Sequence, residues 1–137
     1  MGIILSKRAK KSLSLLEKEN KREHIKIISK INEFLNTDNF ETNMELLRIS
    51  NQIKTIQRKN RKFLIHELRI MGKNNFRIFF YLNENTLILE VVKKKVNAFN
   101  SGFFDGLDIE ISKLLARSDE DEFWWLFERS NGKRQGV

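Results

Sequence analysis

The groups in this chain best suited to chemistry are arginines, carboxylates and a lysine cluster set at short, regular intervals. They are Glu67 and Arg69, then Arg77, then Glu90, and then the triplet Lys93-Lys94-Lys95. Two guanidinium groups brought close together need an anion, and a phosphate suits them, because the planar fork donates two bonds to one phosphate and stays charged. Glu67 or Glu90 supplies that anion in the free protein. The same residues also fit an Arg–Glu ladder across neighbouring strands that only holds a sheet together. Lys94 is flanked by two like charges, which disfavour its protonated form, so it can serve as a base, or as an acid once protonated. Glu67 is the competing base. The chain has no Cys, which excludes a thiolate nucleophile, a disulfide framework and a thiolate metal site. With two His and no carboxylates at ligand spacing, a metal-dependent nuclease is not expected, and neither metal nor cofactor is assigned.

These residues need strands to align them, and the period of the sequence changes to two from Phe63 onward. Phe63 to Ile70, Phe76 to Leu82 and Leu87 to Val92 read as a three-stranded antiparallel meander, with turns at Gly72-Lys73-Asn74-Asn75 and Asn83-Glu84-Asn85-Thr86. Alternation puts Leu64, His66, Leu68 and Ile70 on one face with Phe76, Ile78, Phe80 and Leu82, the expected core face. His66 therefore reads as a satisfied core histidine; His24, on a helix, carries no functional signal. A two-residue loop Glu84-Asn85 adds Leu89 and Val91 to the core face and keeps Glu90 from being buried unpaired. Glu67, Arg69, Arg77, Glu90 and Lys94 are then expected on one open face.

Between Ile3 and Met71 there is no Gly or Pro, so long helices are allowed. After a short apolar start (Ile3, Ile4, Leu5), Ser6 can cap a helix with Ala9, Leu13 and Leu16 on one side and Lys7, Lys10, Lys11 and Lys18 on the other. Asn20 and Glu23 resemble a capping box before a second amphipathic helix carrying His24, Ile27, Ile28, Ile31, Phe34 and Leu35 and ending near Asn36. The stretch 41–60 suits a helix through Leu46, Ile49, Ile53 and Ile56, although Ser50-Asn51 can turn a hairpin. Its end, 54–62, carries Lys54, Arg58, Lys59, Arg61 and Lys62, which suit either a solvated face or a phosphate backbone. After the lysine triplet, a loop with Gly102 and Gly106 leads to a short helical stretch (Leu107, Ile111, Leu114, Leu115). The tail runs Asp119-Glu120-Asp121-Glu122 into Phe123-Trp124-Trp125-Leu126-Phe127. This segment suits either a last helix docked on the core or a cover for a basic face.

At 137 residues, with 40% hydrophobic and 32% charged side chains and eleven Phe, the chain suits one collapsed domain and not disorder. There are 26 Lys+Arg and 18 Asp+Glu, a net +8, with a pI near 9.8. Residues 1–102 hold 21 basic and 10 acidic side chains, whereas 103–137 hold 5 and 8. A basic body suits a polyanion, nucleic acid first. No stretch is long and apolar enough to span a membrane, and Met1 to Leu5 is too short for a signal peptide, so a cytoplasmic protein is expected.

Ser6-Lys7-Arg8-Ala9-Lys10-Lys11 opening the first helix, Glu67-Leu68-Arg69, Phe76-Arg77-Ile78, and Val91-Val92-Lys93-Lys94 together resemble the RelE/ParE toxin superfamily, nearest its HigB-like, phage-derived branch. The match covers roughly residues 3–95. The resemblance implies an α+β fold: an N-terminal helical pair packed on a small antiparallel β-sheet, with a C-terminal helical extension. It sets residues 1–102 as the toxin domain and 103–137 as the extension of the same globular unit. It further implies a toxin of a type II toxin–antitoxin system that cuts mRNA on the ribosome without a metal and is held inactive by a cognate antitoxin protein, as a homodimer or a toxin–antitoxin hetero-oligomer. The Arg77 position is then the phosphate-binding arginine, with Lys93 and Lys94 the basic residues ending the last strand.

Metal-free RNA cleavage requires a 2′-OH turned nucleophile, charge stabilisation on the phosphorane, and a proton for the 5′ oxygen. Arg77 and Arg69 suit the charge; Lys94 and Glu67 suit the proton transfers. Lys93, Lys95, Arg58, Arg61 and Lys62 are the candidate RNA-backbone contacts. Some relatives add a His or Tyr after the basic pair, where this chain has Val96, Asn97, Ala98 and Phe99, so that acid is missing or replaced. Two rival functions remain on the same fold: a ParE-like DNA gyrase inhibitor and a non-catalytic protein-binding module.

Overall fold

A computed structural model of the protein describes residues 2–35, 40–59, 62–70, 75–93 and 99–116. The elements in order are β1 (Ile3–Leu5), α1 (Lys7–Glu19), α2 (Lys21–Leu35), α3 (Phe40–Ile49), β2 (Ile53–Thr55), β3 (Ile65–Ile70), β4 (Phe76–Leu82), β5 (Thr86–Lys93) and α4 (Ser101–Ala116). The class is α+β. The sheet is larger than the expected meander: five strands in the order β1-β5-β4-β3-β2, mixed because β1 runs parallel to β5. The short apolar start is therefore an edge strand.

Two apolar clusters flank the sheet. On one face, Leu68, Ile70, Phe76, Ile78, Phe80, Ile88 and Val91 meet Ala9, Leu13, Ile27, Ile28, Ile31 and Leu35 of the helical pair and Met44 and Leu47 of α3. Each of the larger side chains (Leu, Ile, Val, Phe, Met), once buried, stabilises the fold by about 1.5–3 kcal/mol. On the other face, Ile65, Phe79, Leu87 and Leu89 meet Phe104, Leu107, Ile111 and Leu114 of α4. Phe79 sits at its centre, with the rings of Phe99, Phe103 and Phe104 edge-on at 5.1, 5.2 and 5.7 Å. The face expected to be open is thus largely roofed by α4.

Both helix starts follow their caps. Ser6 Oγ accepts from the Ala9 amide at 2.9 Å and donates to the Leu89 carbonyl at 2.7 Å, while Asn20 Oδ1 accepts from the Glu23 amide at 3.1 Å. Ser6 is wholly buried, so Ser6→Ala removes a cap and orphans a carbonyl. It is expected to cost about 2 kcal/mol, read as a lowered midpoint in urea unfolding.

Other expectations are corrected. The 41–60 helix stops at Ile49: the chain turns at Asn51, whose φ of 59° lies in the left-handed region that Asn tolerates, and Ile53 enters β2. Leu46 and Ile49 are exposed, and Met44 and Leu47 are the buried residues. β3 begins at Ile65, leaving Leu64 partly exposed rather than in the core. In the β4–β5 ladder Phe79 pairs with Glu90 and Phe80 with Ile88, so a bulge leaves Leu89 outside the register and turns it toward α4. Gly102 and Gly106 lie inside α4, which is longer than expected; a Cβ on Gly106 would stand 2.7 Å from Arg8 Nη1, and the missing side chain makes room for that guanidinium. Leu107, Ile111 and Leu114 are buried as expected, whereas Leu115 is exposed. The turn at 72–74 and the acidic–aromatic tail fall outside the described residues, and among those described no helix is long and apolar enough to cross a membrane.

Candidate functional site

Antiparallel pairing of β3 with β4 sets Arg69 directly opposite Arg77. Like charges facing each other across a ladder are destabilising unless an anion intervenes. Glu67, two residues before Arg69 on the same face, is that anion. Its Oε1 lies 3.0 Å from Arg69 Nε and 4.0 Å from Arg77 Nε. One carboxylate oxygen thus serves two guanidinium groups.

Arg77 receives the smaller share. Its side chain is only 9% exposed, and Nη1 is buried with no hydrogen-bond partner among the described residues. Burial lowers its pKa, Glu67 opposes that, and Arg69 adds to it. A desolvated cation with an unfilled donor is a costly arrangement that an incoming oxyanion would relieve. Chemically the pair can hold a phosphate and stabilise charge developing on it.

The remaining expected site residues divide. Lys93 ends β5 opposite Phe76, one register step from Arg77, and is exposed. Lys94, Lys95 and Arg61 lie outside the described residues. Glu90 does not serve the arginines: it receives Arg8 Nε at 3.3 Å and the Ser12 hydroxyl, both from α1. Arg58 and Lys62 stand near the opposite end of β3, where Ile56 pairs with Ile65, about 13 Å of strand from Arg69. Arg58 is held there by a bidentate pair with Asp108 of α4 at 2.8 and 2.9 Å and by the Phe63 carbonyl at 2.7 Å. That pairing raises its pKa, and it is a strut under α4 more than a free cation. Lys62 instead borders a shallow depression of about 380 Å³ with Ile109, Ser112 and Lys113. Arg8 was not singled out as a site residue; its signal was the charge at the start of α1.

His66 behaves as parity predicts. It is buried against Phe80 with Nδ1 3.0 Å from the Thr55 hydroxyl, and burial, then Arg48, pushes its pKa down to about 4. The neutral ring is the folded form, so this stability is complete above the ordinary histidine value of 6.5 and is lost as pH falls from there toward 4. A loss of up to about 3 kcal/mol is expected over that window, and His66→Gln should flatten the corresponding slope of unfolding free energy against pH.

Among the described residues no group of three or more His, Asp or Glu is arranged to hold a metal ion. Compared with family models, curated proteins and solved structures, the chain matches none.

Proposed function

We propose that this protein is a RelE/ParE-like toxin, a basic, metal-independent endoribonuclease that cuts mRNA on the ribosome and is held in check by an antitoxin. The observation that carries the reading is the buried Nη1 of Arg77, which has no hydrogen-bond partner among the described residues, on a side chain that faces Arg69 with a single shared carboxylate between them. Its supports are the motif residues on adjacent strands: Glu67 and Arg69 on β3, Arg77 on β4, Lys93 at the end of β5. The helical pair α1–α2 precedes the β3–β4–β5 meander in the chain, with α3 and β2 between them.

In this reading the scissile phosphate takes the donor that Glu67 leaves unmet. The substrate 2′ oxygen attacks phosphorus and gives its proton to Glu67 or Lys94. Arg77 and Arg69 stabilise the phosphorane, and the bond from phosphorus to the 5′ oxygen breaks as that oxygen takes its proton from Lys94 in its protonated form. Oxyanion stabilisation of this kind is worth about 10²–10³ in rate per donor.

The test is cell-free translation with and without Arg77→Ala, followed by primer extension on the message. New mRNA ends on ribosomes that disappear with Arg77→Ala are the expected result. An intact message and unimpaired translation overturn it, and inhibition of gyrase supercoiling in the same preparation would then assign the ParE-like activity.

A further inference from the structure

α1 turns two opposite faces in two directions. Ala9 and Leu13 enter the first apolar cluster, and Arg8 and Ser12 reach sideways to Glu90. With about 100° per residue, Lys7, Lys11 and Lys18 fall within roughly 40° of one another on the side opposite Ala9 and Leu13. All three are exposed, as are Lys21 and Arg22 just past the α1–α2 junction. None of these five makes an ion pair among the described residues, and the first turn of α1 holds no acidic residue. The stripe runs about 16 Å from Lys7 to Lys18, with Lys7 and Lys11 about 6 Å apart along the axis.

We propose that this face of α1, extended by the start of α2, binds the phosphate backbone of a nucleic-acid duplex. Lysines spaced one and then two turns apart along one line offer point charges to phosphates along a strand. α1 contains no aromatic residue, and single-strand recognition rests on aromatic stacking, so a paired strand is the better fit. A membrane is the poorer fit, because the apolar face of α1 is buried inside the protein and Leu15 is its only exposed large hydrophobic. The face is separate from the Arg77 pair, and its binding stands whether or not that pair cleaves RNA.

The test is fluorescence anisotropy of a labelled RNA duplex, and of a DNA duplex of the same sequence, titrated with full-length protein over a range of NaCl. Each phosphate neutralised adds roughly 0.9 to the slope of log K against log salt. Lys7→Gln, Lys11→Gln and Lys18→Gln together should lower that slope by roughly 2–3, by the same rule. Ser14→Glu, a single exposed change between Lys11 and Lys18, should weaken binding with no change in thermal midpoint. Equal loss on both duplexes assigns the face to phosphate alone, and a loss confined to RNA assigns it to the A-form backbone. An unchanged slope in the triple variant overturns the inference. So does a loss of binding to phosphatidylserine vesicles with duplex binding intact.

Discussion

Arg77→Met is expected to abolish the translation arrest proposed above while leaving the protein at least as stable as the parent. Arginine at this position is desolvated, faces Arg69 across the ladder, and has at Nη1 a donor with no partner among the described residues. Methionine has a similar reach and no charge to desolvate. Removing one member of an ion pair usually strands the other, at 3–5 kcal/mol, but Glu67 keeps Arg69 at 3.0 Å. The change therefore relieves a like-charge contact and a burial cost together, and a gain of about 1 kcal/mol, read as a midpoint a few degrees higher, is the expected outcome. Activity should fall by at least about 10²-fold. A loss of more than about 1 kcal/mol in Arg77→Met would instead assign the Arg–Glu ladder a structural role.

Arg58→Ala is expected to be the most destabilising single change at a charged position, by about 3–5 kcal/mol. Its two nitrogens hold both oxygens of Asp108, side-chain exposures are 11% and 13%, and the Arg58 guanidinium lies 5.8 Å over the Phe104 ring. Truncation strands a half-buried carboxylate, frees the Phe63 carbonyl and loosens the strut between the segment before β3 and α4. A loss of that size is a large share of the ~5–15 kcal/mol of a typical domain. Urea unfolding of Arg58→Ala, Asp108→Leu and the Arg58→Met/Asp108→Leu pair tests it. The double variant should recover most of the loss, because two apolar side chains leave no charge unpaired.

The parts of the fold legible in the sequence are those set by local period. The β3–β4 register follows from alternation, and the α1 and α2 faces from their apolar spacing, with Ser6 and Asn20 marking the starts. The parts that were not legible depend on distant partners or on a run with no contrast. Leu87, Ile88 and Leu89 are all apolar and both faces of β5 are covered, so alternation could not reveal the bulge. Gly106 reads as loop punctuation in the sequence because the neighbour it lies against, the Arg8 guanidinium, is nearly a hundred residues away. Leu46, Ile49, Ile53 and Ile56 keep a helical spacing across a real boundary, and the left-handed Asn51 decides against it. The Arg69–Arg77–Glu67 group was legible because strand parity alone brings it together. The loss of Arg58 to Asp108, 50 residues on, was not.

The parallel pairing of β1 with β5 has a consequence for how the molecule comes into being. Gly2 and Asn85, and Ser6 and Leu89, are joined by hydrogen bonds across 83 residues of chain. Closing a loop of that length costs about 4 kcal/mol of chain entropy before any contact compensates. On a translating ribosome, Ile3–Leu5 must wait for almost the entire sheet to emerge before it finds its neighbour. Such long-range topology slows the search for the native state. A chain that harms translation by the activity proposed above would thus complete its sheet only after its own synthesis has passed β5.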